Sequence, residues 1–312
     1  MGTSTWSNDF YVARETERKA KGTPTFHHDA VMKSTPTANR QVHAALDPKG
    51  KTRESRDSKQ HPESLAVAVM FDVTGSMGGI PVQIQKELPR LMSYLVEHKF
   101  SSDPQVLFGA IGDAVSDRGP IQIGQFESGI EMDEDMGRLW LEGGGGGSKE
   151  ESYELGLYFF ARHTSIDCHE KRSKKGYLFI IGDEKPYPTV DRQRVANLFG
   201  DTLQENVKTE DIVKEAQEKY HVFFILPSGA NHGRDKEVIS RWQGLLGDNF
   251  LTLDTPAAIV ETIAIAVATK EGNLTVGDAL AQVKQAGASD AVLRSVAATF
   301  NTTVATQGVV RL

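Results

Sequence analysis

Asp72, Thr74 and Ser76 stand at alternate positions in Phe71-Asp-Val-Thr-Gly-Ser-Met77, directly behind the apolar run Leu65-Ala-Val-Ala-Val-Met70. One carboxylate and two hydroxyls form an all-oxygen, weakly charged donor set. Such a set suits a hard divalent cation, Mg2+ or else Mn2+ or Ca2+, and does not suit zinc. An octahedral ion takes about six oxygens, so one loop is not enough. Two later segments offer more. The first runs Glu142, five glycines, Ser148, Lys149, Glu150, Glu151, Ser152, and the second is Phe179-Ile-Ile-Gly-Asp183-Glu-Lys-Pro-Tyr187, another apolar run ending in an aspartate.

The same residue types also make ordinary strand-to-helix caps and turns, which is the plainest competing account of Asp72 to Ser76. An aspartic-protease reading fails because Val73 separates Asp72 from Thr74 and no second triplet occurs. The glycine run has neither a dinucleotide fingerprint nor a phosphate-loop Gly-Lys-Ser/Thr. His163, Cys168 and His169 lie in a basic segment without a second ligand pair at zinc-finger spacing, and read as exposed loop residues. Metal-assisted hydrolysis would need a base or nucleophile beside the ion. Asp113, Glu151, Glu184 and Lys185 are available, but no paired-carboxylate or His-rich motif stands out.

To bring these loops together the chain must alternate strands and helices. Strands are expected at Leu65–Phe71, Val106–Ile111, Ile121–Phe126, Tyr177–Ile181, Val222–Leu226 and Phe250–Leu253. The unbroken apolar runs suit central strands buried on both faces. Helices are expected over Ile80–Phe100 with a kink at Pro89, and over Glu151–His163, Arg192–Phe199, Thr209–Tyr220, Asp235–Leu246 and Pro256–Lys270. The fold class is α/β, a doubly wound, mainly parallel sheet flanked by helices. Asp72 and Asp183 then fall at the carboxyl edge of that sheet, where open α/β sheets bind ligands.

Residues 1–63 read as an extended, partly disordered arm, rich in Thr, Ser, Lys, Arg and His, with Trp6, Phe10, Tyr11 and Phe26 as candidate anchors. Residues 64–272 form the α/β domain. Residues 273–312 form a small helical tail, with helices over Val276–Gln285 and Asp290–Phe300 and a short strand at Val309–Leu312. Glu127, Glu131, Asp133, Glu134 and Asp135 make an acidic patch beside the expected cation edge, most simply a solvated short helix. Across 312 residues the net charge is -7, which argues against a nucleic-acid or anionic-membrane binder. The single cysteine rules out an intrachain disulfide framework. With no signal peptide or membrane-length apolar run, a cytoplasmic protein is expected.

The spacing Asp-x-Thr-x-Ser resembles the metal-ion-dependent adhesion site of von Willebrand factor type A domains, usually Asp-x-Ser-x-Ser. The glycine loop and the Gly-Asp-x-x-Pro segment are similar to that family's second and third loops, in the same order over residues 64–272. The resemblance, to bacterial or phage-type intracellular members, implies that Asp72, Thr74 and Ser76 hold the ion with Asp183. The family's second loop carries a threonine that this chain lacks. Ser152 is the preferred substitute, with Ser148 and Glu151 as alternates. The resemblance further implies a non-enzymatic module in which a partner protein's acidic residue completes the ion's shell, the partner being an AAA+ ATPase or a multiprotein assembly. The alternative is a structural component that forms homo-oligomers through the arm, its metal merely stabilising.

Overall fold

The computed structural model describes residues 4–145 and 147–301. Six strands form the central sheet: β1 (Leu65–Asp72), β2 (Pro104–Ile111), β3 (Ile121–Ile123), β4 (Gly176–Ile181), β5 (Tyr220–Pro227) and β6 (Phe250–Leu253). Their order is β6-β5-β4-β1-β2-β3, parallel throughout except for β3 against β2. Every residue of β1, β2 and β4 is buried, so both faces of the sheet are covered. That is why these strands read as unbroken apolar runs and not as alternating ones. Helix Tyr153–Arg162 packs against Thr209–Lys219, and Ile259–Lys270 packs against Leu88–Met92. This is the mixed α/β, mainly parallel architecture expected from the alternating pattern.

The connectivity positions the site. From β1 the chain moves outward to β2 and β3, then returns to pair β4 on the other side of β1. The carboxyl ends of β1 and β4 therefore flank the point where strand order reverses, the place where open α/β sheets bind ligands.

Several expectations need correction. The helix expected over Ile80–Phe100 is broken into Ile80–Lys86, Leu88–Met92 and a π-helical turn at Ser93–Glu97. Pro89 does not kink one helix. It sits in the first turn of a new one, where its missing N–H leaves nothing unpaired. The strand expected over Ile121–Phe126 ends at Ile123. Because β3 runs antiparallel, the chain returns toward the start of β2, and Glu127 bridges Val106. The acidic patch thus begins at the far edge of the sheet, not beside the cation edge. Cys168 is not exposed: it is buried in the short helix Asp167–Arg172. The expected strand at Val309–Leu312 lies outside the described residues.

The arm is more ordered than its composition suggests. It contains helices Asn8–Lys21 and His27–Ser34, the first capped by Ser7 and ended by Gly22 at φ 63°. Trp6, Tyr11 and Phe26 are buried in the main core, while Phe10 is 66% exposed. Few apolar residues dock these helices, so no stripe shows in the sequence; ion pairs add to the buried anchors. Arg18 Nη1 donates to the buried Asp133 at 2.6 Å. Further on, Arg53–Ser55 pairs in parallel with Thr164–Ile166, and Ile123 N donates to Leu46 O at 2.9 Å. Arg53 Nη2 donates to Ile123 O at 2.6 Å. At the opposite end of the chain, Thr299 Oγ1 donates to Thr252 O of β6 at 2.8 Å. No described helix is long and apolar enough to cross a membrane.

Candidate metal centre

Asp72 is the last residue of β1, and the chain turns sharply after it. Its Oδ1 accepts from Thr74 N at 2.7 Å and from Thr74 Oγ1 at 2.6 Å, the self-closing turn that aspartate favours. Thr74 Oγ1 lies 3.0 Å from Ser76 Oγ, which donates to Asp183 Oδ1 at 2.6 Å. Asp183 Oδ2 accepts from His232 N at 2.9 Å. On the other side, Tyr153 Oη donates to Asp72 Oδ2 at 2.6 Å. Loops after β1, β4 and β5 and the start of helix Tyr153–Arg162 are thereby tied into one polar chain.

Each hydroxyl has a single proton. With both aspartates ionised, Thr74 gives its proton to Asp72 and Ser76 gives its proton to Asp183. Nothing then remains to bridge the two hydroxyls, so their lone pairs face each other. Oxygen lone pairs flanked by two carboxylates suit a hard cation. Among the described residues no group of three or more His, Cys, Asp or Glu is arranged to hold a metal, so any ion here depends on the hydroxyls.

Charge at this edge is poorly compensated. Burial pushes Asp72 up to about 7, against hydrogen bonds from Thr74 and Tyr153, and the charge of Asp183 adds to the rise. Glu151 is pushed up to about 11 by burial, then by Asp72, Glu184 and Asp113. Burial likewise raises Glu184, whose carboxylate lies 3.4 Å from His232 Nε2. Of the two glutamates, Glu151 holds the proton. Its Oε2 is buried without a hydrogen-bond partner. A buried oxygen left without a donor costs free energy unless something else enters the site. The donor set therefore fits a divalent ion.

The four residues Asp72, Thr74, Ser76 and Asp183 are brought together. Ser152 is directed elsewhere: its Oγ accepts from Ala114 N at 2.8 Å. Ser148 is exposed, its Oγ donating to Glu150 O at 3.4 Å. Glu151 is held beside the Asp183 segment by a short parallel pairing, with Glu151 opposite Pro186 and Glu150 opposite Lys185. The glycine loop crosses the first loop: Gly75 N donates to Gly144 O at 3.1 Å. At Gly145, φ is +117°, and an added Cβ would meet Glu151 Oε1 at 3.3 Å and Thr74 Cβ at 3.6 Å. Asp72 and Asp183 are 0% exposed, while Ser76 is partly exposed and Gly75 exposed. Asp113 is engaged by Val115 N at 2.9 Å and Tyr187 Oη at 3.0 Å.

Tyr153 and His232 are absent from the sequence reading, which names Glu184 only as a group available for hydrolysis. Tyr153 follows Ser152 at a helix start, and His232 lies in the loop after β5, which ends at the same edge of the sheet. That position was the available signal for His232.

No protein-family model matches this chain, and no curated protein sequence matches it. Among solved structures, it is similar to the pilus adhesin SpaC from Lactobacillus rhamnosus GG in its open conformation, with a TM-score of 0.46 and 11% identity over 71% of this chain and 31% of that one. It is also similar to proximal thread matrix protein 1 from the mussel byssus, with a TM-score of 0.45 and 9% identity over 70% of this chain and 49% of that one. The chain thus spans less than half of either structure.

Proposed function

We propose that this chain is a type A-like module that binds a divalent cation, Mg2+ by preference, at the carboxyl ends of β1 and β4, and uses it to dock another protein. Asp72, Thr74, Ser76 and Asp183 would hold the ion. The observation carrying this reading is the link from Ser76 to Asp183, which joins two loops into one oxygen-lined site at the point where strand order reverses. Bound there, the ion would supply a positive charge able to accept an outside carboxylate. Ser76 and Gly75 offer the approach to solvent.

Burial of both aspartates favours a second reading, an ion that only stabilises the fold. One pair of measurements separates them. Mg2+ titration by calorimetry should show binding to the wild type and none to Asp72→Asn. Proteins co-purifying with the tagged chain should be lost both in Asp72→Asn and on chelation. Binding of Mg2+ with partners unaffected leaves only the stabilising role, and no binding at all overturns both readings.

A further inference from the structure

We infer that His27 and His43, with His28 between them, form an acid-operated latch: neutral, they hold helix His27–Ser34 and residues 35–46 against the main domain, and protonated, they let that segment go. The device stands apart from the cation reading.

Three histidines meet in this part of the arm. His28 and His43 pack edge to face, their ring centroids 5.1 Å apart. The His28 ring is fixed by Nε2, which donates to Gln41 O at 2.9 Å. His27 lies over the backbone of helix Glu131–Gly137, where a Cβ on Gly137 would meet its Nδ1 at 2.8 Å. His43 Nδ1 accepts from Ala45 N at 3.2 Å, so in this turn that nitrogen carries no proton.

Charge would undo these contacts. A proton on His43 Nδ1 would face the Ala45 N–H directly. His27 and His28 open their helix, whose N-cap residue Phe26 offers no side-chain acceptor, so positive charge there meets the positive end of the helix dipole. Burial holds His27 and His43 below the ordinary 6.5, and the charges of His28 and Arg138 push both the same way. Arg18 also repels His27, and His27 repels His43, while Glu134 opposes the shift at His27 and Asp135 at His43. Asp29, in the same helical turn, is engaged by Lys33 Nζ at 2.6 Å. The attached segment thus binds fewer protons than the released one. Its attachment is complete above about 6.5 and weakens as pH falls below that value.

The segment covers something specific. Ala38 O accepts from Arg118 Nη1 at 3.3 Å, and Val42 lies with Trp140 against Gly119. Gly119 N in turn donates to Glu142, at the base of the glycine loop, at 2.9 Å. Release would bare Trp140 and remove the support of that base. His61 is arranged the opposite way, with acceptors at both ring nitrogens, Asp103 Oδ1 and Ser4 O. A proton there tightens the chain ahead of the first helix, so the release stays local.

The test is hydrogen exchange by mass spectrometry on the full chain at pH 8 and pH 5, with rates corrected for their intrinsic pH dependence. It compares the wild type, the double variant His27→Gln/His43→Gln, and His43→Lys. Wild-type protection of residues 27–46 should fall about tenfold or more at pH 5, with residues 65–72 unchanged. The double variant should stay protected at both pH values, and His43→Lys should lose protection already at pH 8. Equal wild-type protection at the two pH values overturns the inference. So does an acid loss as large in the double variant as in the wild type, which would assign the effect to Asp29, Glu134 and Asp135. A double variant as open at pH 8 as His43→Lys would show that ring shape, and not charge, holds the segment, and would equally overturn it.

Discussion

Ser76 and Asp183 are separated by 107 positions in the chain, yet the serine hydroxyl lies 2.6 Å from the aspartate carboxylate. The contact exists because β1 and β4 are neighbours and each ends in a loop at the same edge. Replacing Ser76 by alanine removes one hydroxyl at a partly exposed position and should leave the fold intact. Mg2+ affinity, read by calorimetry, should drop by about tenfold. An unchanged affinity would place the ion, if there is one, away from Ser76.

Acidity offers a second handle. Asp72 is held at about 7 when folded, above its ordinary value of 3.8, so between those values the folded protein keeps a proton that the unfolded chain has released. The ion-free protein loses stability from this group as pH rises through that interval, and the loss levels off above about 7. Asp72→Asn abolishes the titration. In chelator, the melting temperature of the variant relative to wild type should rise from pH 5 to pH 8; a constant difference would contradict the burial-driven shift.

Tyr153 donates to the same carboxylate. Tyr153→Phe removes its donor while keeping the ring, which is packed edge-on to Phe224 and Trp242. Loss of a buried hydrogen bond to a charged group costs about 1.5 to 3 kcal/mol, measurable by urea unfolding at pH 8. The cost should shrink at pH 5, where Asp72 is protonated. A pH-independent cost would indicate a packing effect only.

Asp133 is fully buried and relies on Arg18 from the first helix, with Arg14 3.6 Å away as a weaker neighbour. Arg18→Ala leaves that carboxylate largely uncompensated and should cost roughly 2 to 3 kcal/mol. Limited proteolysis should then cut within residues 8–34 much faster than in wild type. Equal cleavage rates would show that Trp6, Tyr11 and Phe26 hold the arm without help from charge.

Cys168 is buried, and burial pushes its thiol up. A thiol-specific reagent should react slowly with the native protein and rapidly in denaturant, since the thiolate is the attacking form. Fast native labelling would mean that the short helix around Cys168 opens readily.

The sheet and its carboxyl edge were legible because a buried parallel strand needs an unbroken apolar run, and Asp72 and Asp183 each close one. Thr74 and Ser76 followed from spacing alone. Ser152 accepts from Ala114 N on a separate loop, a contact that its place at a helix start does not reveal. Tyr153 and His232 could not be placed without knowing how β4 and β5 stack beside β1. The arm's helices were hidden because they dock through a few scattered anchors such as Tyr11 and ion pairs such as Arg18 with Asp133, which leave no periodic trace. Gly182 shows the same limit: its bare Cα accommodates the Tyr153 hydroxyl, and a Cβ there would sit 2.2 Å from it.

The outermost strands β3 and β6 would each offer an open row of backbone donors and acceptors to any passing chain. Leu46 and Arg53 occupy Ile123, while Thr299 takes the carbonyl of Thr252. The segments carrying Leu46, Arg53 and Thr299 thus cover part of each flank, and an uncovered outer strand is a template for pairing with another chain.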